Sequence, residues 1–399
     1  MLLVEYAFAF KRRMGMNIGV IGLGARITTL LKTAMELTAG YGKLAAVTDL
    51  KTKEELKTMH PLVAEYIDGA TMYTSAEEML EKEQLDGVML GTNCSTHTKF
   101  ARMVLDRDIP LFLEKPVSIN YEQWQILRKD YEPHDHRVVV SFPLRVSPMV
   151  EEVKKIIDSG ELGRIEHVQA FNYVPYGGTY YHNWYRDDQE TGGLWLQKAT
   201  HDFDYINYIL GFEPVQIAAM ESKQIFKGDK PSGLNCTKCA EYKTCSESPY
   251  LTPRFNADTV HGKMCSFAVD TGNHDSATAI VRYDTGMHMS YTQNFFARKH
   301  AAKRGAIFSG YLGTIEFDWY TNEIKRYPHK IPRTDIYRYD DAMEAHFGGD
   351  ARLVRNFIDL ISGDTKVSVA PLRSGLMSAL MCLNARESAQ TGNFMEIKF

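Results

Sequence analysis

The chain is poor in cysteine, has no long apolar run and carries almost no net charge, and each shortage closes off a class of protein. Six cysteines in 399 residues are far too sparse for a small scaffold stapled by disulfides. No apolar stretch approaches the roughly 18 residues needed to cross a bilayer, so no membrane span is expected. Forty-six basic against fifty acidic residues leave a formal charge of -4, which gives no field to gather a polyanion and sets nucleic acid aside as a partner. Glycine and proline number 29 and 14, ordinary levels that exclude collagen-like and low-complexity chains.

What remains is a folded protein with 44% apolar and 11% aromatic residues, long enough for two or three domains at about 150 residues each. Met1 to Phe10 is apolar, but its basic residues, Lys11 to Arg13, follow the apolar stretch and no small-x-small cleavage site comes next. That is the reverse of a secretory signal. Residues 1–15 therefore read as an N-terminal extension, and a cytoplasmic location is expected. From Asn17, short apolar runs (NIGVIG, LAAVTD, GVMLG, PLFLE, VVVSF) alternate with stretches of helical periodicity such as Ile27 to Leu37 and Phe100 to Arg107. Near-continuous apolar strands separated by helices make a parallel sheet covered on both faces. Residues 16–146 are thus expected to form a doubly wound Rossmann domain. From 147 to 399 the pattern predicts an α+β domain with a largely antiparallel open sheet. Its strands are expected at Ile165 to Val174, Ala277 to Tyr283, Met287 to Phe295 and Gly313 to Asp318. Residues 222–275, rich in Gly, Pro, Lys and Cys, read as an irregular insertion.

The first strand runs into Gly22-Leu23-Gly24-Ala25-Arg26-Ile27. Two glycines one residue apart permit a tight turn and let the backbone approach a pyrophosphate seated on the following helix N-terminus. Ile27 stands where a third glycine is usual. Asp49 closes the second strand, where a carboxylate accepts from ribose hydroxyls and repels a 2′-phosphate, so NAD is expected over NADP.

Two further blocks lie at C-terminal strand ends, where open α/β sheets bind ligands: Gly91-Thr92-Asn93-Cys94-Ser95-Thr96-His97 and Glu114-Lys115-Pro116. With the later run Gly192-Gly193-Leu194-Trp195-Leu196-Gln197-Lys198-Ala199-Thr200-His201-Asp202, they make the chain resemble the Gfo/Idh/MocA family of NAD(P)-dependent sugar and inositol oxidoreductases. The resemblance implies that Lys115 lies near the nicotinamide and the substrate hydroxyl. It also implies that Asn93 and His97 belong to a loop over the cofactor, and that His201 joins Lys115 in acid/base work. Many members carry Asp four residues before that His; this chain has Gln197, an amide that can hold a hydroxyl but cannot exchange its proton. The candidate cofactor residues are Gly22, Gly24, Arg26, Ile27, Asp49, Thr92, Asn93, His97, Glu114 and Lys115, and the candidate catalytic residues are Lys115 and His201.

Those two residue types suit the chemistry on their own terms. Oxidising a secondary alcohol needs a group near working pH to take the hydroxyl proton while hydride leaves carbon. An imidazole has such a pKa, and a lysine reaches it when buried or beside another positive charge. The segment from Tyr173 to Arg186 mixes aromatics with His, Asn and Arg, so Tyr173, His182, Trp184 and Arg186, with Gln197, are candidate substrate contacts; an aromatic packing cluster is the competing reading. Cys236, Cys239, Cys245 and Cys265 are spaced C-x2-C-x5-C-x19-C; four thiolates could bind a structural zinc, against four free thiols. The leading expectation is an NAD-dependent dehydrogenase or reductase of a sugar, inositol or sugar derivative, working as a homodimer or homotetramer. A redox-neutral enzyme that uses NAD to cleave or epimerise glycosides, and a noncatalytic NAD-binding sensor, stay open.

Overall fold

The computed structural model describes residues 15–251, 262–339 and 345–399. Most of the expected N-terminal extension and part of the cysteine-bearing insertion lie outside them. Strands β1 (Met16–Ile21), β2 (Gly42–Thr48), β3 (Thr71–Tyr73), β4 (Gly87–Leu90), β5 (Leu111–Leu113) and β6 (Val138–Val140) form one six-stranded sheet in the order β3-β2-β1-β4-β5-β6. Every pair in it is parallel. β4, β5 and β6 are buried at every position, as strands must be when helices cover both faces. Strand order reverses between β1 and β4, and the chain ends leaving these two strands open the crevice in which such folds bind dinucleotides.

The second sheet has nine strands: β7 (Ile165–Tyr173), β8 (Pro214–Ser222), β9 (Ser276–Tyr283), β10 (His288–Asn294), β11 (Lys303–Gly310), β12 (Gly313–Asp318), β13 (Glu323–Pro328), β14 (Asp335–Arg338) and β15 (Met395–Glu396). Their order is β14-β13-β12-β11-β7-β10-β9-β8-β15, antiparallel throughout except where β10 runs parallel to β7. The β9–β10 hairpin turns at Gly286, whose φ of 85° is the left-handed conformation that glycine adopts without a Cβ clash. Along β9 the burial alternates residue by residue, so one face of the sheet is covered and the other is open. Met289 and Tyr291 lie on the covered face, beneath helix Thr200–Leu210, and are fully buried. Phe295 packs into a separate cluster with Tyr180, Tyr181, Leu194 and Phe226. Ile280 of β9 stands on the open face, at 46% exposure.

The domains are tied together at several points, two of them at the end and on the face of the first sheet. Arg145, in the turn after β6, makes a buried fork to Asp204 at 2.5 and 3.0 Å, which anchors helix Thr200–Leu210 to the end of the first sheet. Helix Gly349–Ser362, although late in the chain, returns to the first domain: Phe357 meets Phe112 of β5 edge to face, and Ile361 fills the space beside Gly87.

Candidate active site

The cofactor crevice is built on three glycines. Gly22 has φ 79°, and a Cβ there would fall 2.6 to 2.9 Å from Thr92, so the turns after β1 and β4 touch only because Gly22 has no side chain. Gly24 is the exposed N-cap of helix Ala25–Leu37, which has no side-chain cap and no acidic residue in its first turn. Its first turn is thus without a side-chain cap, an arrangement suited to a pyrophosphate. Ile27 is fully buried against Gly91, where a Cβ would stand 2.1 Å from Ile27 Cγ1. The close helix-to-strand packing that a third glycine would provide from the helix side comes here from the strand side. Asp49 accepts from Leu23 N at 2.8 Å with one carboxylate oxygen and from Lys51 N at 3.0 Å with the other. It thus braces the glycine turn while each oxygen keeps a lone pair for a ribose hydroxyl.

Other expected cofactor residues turn out to hold the crevice together. Arg26 forks onto both oxygens of Asp350 at 2.5 and 2.6 Å and pairs with Glu114 at 3.3 Å. This commits its guanidinium, and the Glu114 carboxylate, to tying helix Ala25–Leu37 to the end of β5 and to helix Gly349–Ser362. His97 is buried, with Nδ1 2.8 Å from Pro116 O and Nε2 3.0 Å from Thr92 O. It clasps the loop after β4 to the loop after β5, and burial holds its pKa below the ordinary imidazole value. Thr92 and Asn93 remain on the crevice rim, Asn93 exposed.

Lys115 crosses from the first domain to the second, its Nζ donating to the Gln197 carbonyl at 3.2 Å. Burial lowers its pKa; Cys94 and Glu114 oppose that shift, and Lys198 and Arg26 add to it. Gln197 belongs to a π-helical turn, Trp195–Ala199, that leads into helix Thr200–Leu210. Such turns are short interruptions of α-helices and recur at functional sites. The Gln197 amide points to the Thr191 carbonyl (2.8 Å) and Cys94 Sγ (3.5 Å) and is buried, so its donors serve the fold and not a substrate. The next side chain, Lys198, points the other way, to the Tyr176 hydroxyl at 2.5 Å. His201 follows in the first turn of the helix, packed edge to face on Phe142.

The expected substrate wall divides. Trp184, 45% exposed and stacked on Tyr185, keeps an aromatic face available. His182 and Arg186 do not: both are buried and hold the insertion, His182 through Met264 O (2.6 Å) and Ser266 (3.1 Å), Arg186 through Asp270 (2.7 Å) and Thr271 (2.9 Å). Tyr173 ends β7 on the face opposite Asn172, which bonds Asp202 beneath the sheet, so strand alternation turns Tyr173 away from Lys198. The cysteines also depart from expectation. Among the described residues no group of three or more His, Cys, Asp or Glu side chains is set to hold a metal ion, and all four are free thiols. Burial and the neighbouring thiols push Cys236 up to about 11, so it is protonated at neutral pH. The insertion has an apolar anchorage of its own, Phe226 stacked on Tyr181 with Phe267 beside it. Lys198 and Tyr176 are site residues that the motifs did not single out, although Lys198 stands between Gln197 and His201.

Comparison with known proteins gives two family matches: "Oxidoreductase family, NAD-binding Rossmann fold" over residues 16–142 and "GFO/IDH/MocA C-terminal domain" over residues 150–316. YteT of Bacillus subtilis (strain 168), itself only provisionally named an oxidoreductase, is 24% identical over 352 residues, 81% of each chain. The inositol 2-dehydrogenase of Rhizobium meliloti (strain 1021) is 26% identical over 222 residues, 55% of this chain and 62% of that one. Among solved structures, a levoglucosan dehydrogenase in complex with NADH and levoglucosan superposes with a TM-score of 0.75 at 15% identity, covering 96% of this chain and 99% of the other. At that identity the likeness is one of fold.

Proposed function

The chain belongs to the Gfo/Idh/MocA family and is an NAD-binding oxidoreductase, and from that premise we propose that it is a dehydrogenase or reductase acting on a hydroxyl-bearing carbon of a sugar, inositol or sugar derivative. The observation that carries this reading is Lys115, placed where the cofactor crevice meets the second domain, its pKa lowered by burial. NAD, when bound, supplies a two-electron hydride acceptor. The Gly22–Gly24 turn and the uncapped helix N-terminus would hold its pyrophosphate, and Asp49 its ribose, which favours NAD over NADP. The Gln197 carbonyl takes one of the three donors of Lys115; the others can hold the reacting oxygen. His201 is assigned proton exchange with that oxygen. We place the enzyme in the cytoplasm and expect a homodimer or homotetramer. Spectroscopic screening for NADH formation against inositols, aldoses and uronic acids tests the reading, with product analysis to separate net oxidation from redox-neutral turnover. Stoichiometric NADH with at least one of these compounds is expected. Turnover that leaves NAD unreduced would replace it with the redox-neutral alternative.

A further inference from the structure

Tyr176 and Lys198 are 22 residues apart in sequence and 2.5 Å apart in space. Lys198 also lies over the rings of Tyr176 and Tyr180, 4.4 and 5.3 Å from their centroids. The lysine is 6% exposed, whereas Tyr176 keeps 39% of its surface open. The Tyr176 side chain is therefore held by Lys198 at its hydroxyl while part of the residue reaches the surface. The couple shares its site with Lys115: that residue binds the Gln197 carbonyl and Lys198 is the next residue, so the two cations flank one peptide unit.

We infer that Tyr176, in place of His201, is the catalytic residue that exchanges a proton with the substrate hydroxyl whose carbon gives up hydride, with Lys198 as its electrostatic support. The inference rests on the dehydrogenase reading. In the oxidative direction the C–H bond breaks and its electron pair leaves as hydride to the oxidised nicotinamide. The O–H bond breaks, its proton goes to the Tyr176 phenolate, and its electron pair becomes the second C–O bond. The products are a carbonyl, reduced nicotinamide and neutral Tyr176, which returns its proton to solvent. Lys115 then serves as hydrogen-bond donor to the reacting oxygen.

The surroundings suit a phenol that ionises readily. Burial works to raise its pKa, but Lys198 and Arg304 outweigh burial and hold it below the ordinary tyrosine range, with Asp202 opposing them. Asp202 is itself engaged by Arg304 at 2.8 and 2.9 Å, by Asn172 and by Tyr291. Burial keeps the nearby phenols of Tyr180, Tyr185 and Tyr320 above the ordinary range, so they do not compete for ionisation. Lys198 is lowered by burial, against its attraction to Tyr176.

The test is a pH titration by NMR of the full chain labelled at tyrosine Cζ, paired with NADH-formation assays on the inositol, aldose and uronic acid panel. One tyrosine signal should titrate below about 10, vanish in Tyr176→Phe and move upward in Lys198→Met. Tyr176→Phe should lose about 10²- to 10⁴-fold in kcat, the range for a general acid or base, while NADH binding by fluorescence is unchanged. Lys198→Met should shift the corresponding limb of the pH–rate profile upward. A low titration that persists in Tyr176→Phe, or full turnover with an unaltered pH profile in that variant, overturns the inference and leaves the proton to His201. A wild-type protein that shows the titration yet reduces NAD with no compound of the panel supports the couple and counts against the dehydrogenase reading alone.

Discussion

Lys115 and Gln197 meet at one carbonyl but answer differently to substitution. Lys115→Ala removes the side chain whose Nζ reaches the Gln197 carbonyl of the π turn, and turnover should fall by at least about a hundredfold, as when a donor to a developing oxyanion is lost. NADH binding, measured by fluorescence, should survive, because the pyrophosphate cradle is made by other residues. Gln197→Asp, which restores the residue common in relatives, removes the donors that meet Thr191 O and Cys94 and sets a carboxylate against a carbonyl. Leaving that buried acceptor unsatisfied costs about 1–3 kcal/mol, so thermal unfolding should come earlier. A variant as stable as the parent and more active would mean that position 197 reaches the reacting groups and that an auxiliary base was lost there, because a carboxylate can take a proton and an amide cannot. His97 carries a pH dependence with a definite sign. Burial lowers its folded pKa, so the unfolded chain binds the proton more readily. Its stabilising effect is intact above the unfolded imidazole value of about 6.5 and is lost as pH falls from there through the lowered folded value. Melting curves from pH 8 to 5 should show this loss, and His97→Asn should flatten it. These roles were partly legible in residue type: a lysine after a strand and a glycine pair before a helix act where they stand. His182 and Arg186 were read as sugar ligands because residue type does not tell which partner takes up a hydrogen bond. Their partners, Met264 and Asp270, lie 82 and 84 residues away.

Periodicity exposed the regular elements and hid the irregular one that matters most. Near-continuous apolar runs marked β4, β5 and β6, strict alternation marked β9 and β10, and Pro371 and Gly392 bracketed helix Leu372–Thr391. The three-residue edge strand β3 escaped because it is too short to show a period, and β8, β11, β13, β14 and β15 also lie outside the expected strands. The π turn at Trp195–Ala199 escaped for a different reason: a single wide turn of five residues leaves no apolar period of its own beside the helix it leads into. Ile27 is a readable departure whose compensation was remote. Because Gly91 supplies the missing space, Gly91→Ala should force the strand and helix apart and cost about 1–3 kcal/mol by overpacking. The pair Gly91→Ala with Ile27→Ala should recover a measurable part of that loss in a double-mutant cycle by chemical denaturation. Strictly additive effects would show that the two residues do not share the contact.

The two sheets face different fates. The first is covered on both sides, and its C-terminal end is closed by Arg26, Glu114 and Asp350, so helix Gly349–Ser362 makes the cofactor crevice depend on the far end of the chain. The second is covered by helices on one side only. Nine strands at about 4.8 Å spacing span roughly 40 Å, ample for the roughly 800 Å² per partner of a standard interface. On that open face Ile280 pairs across the ladder with Ala218, and Met220, 81% exposed, pairs with Thr278 beside them. These apolar side chains alternate with Arg282, Ser290 and Thr292, a mixed surface of the kind that closes on a second copy through a two-fold axis. Light scattering at micromolar concentration should give a dimer or tetramer. Ile280→Arg should lower the mass toward the monomer, because a two-fold axis brings each introduced charge near the partner's matching patch without a counter-ion. Cofactor binding should persist in that variant, since Ile280 lies on the sheet face turned away from Asp202 and Lys198. A monomeric wild-type protein, or an Ile280→Arg variant of unchanged mass, would require that this face meets solvent or another molecule.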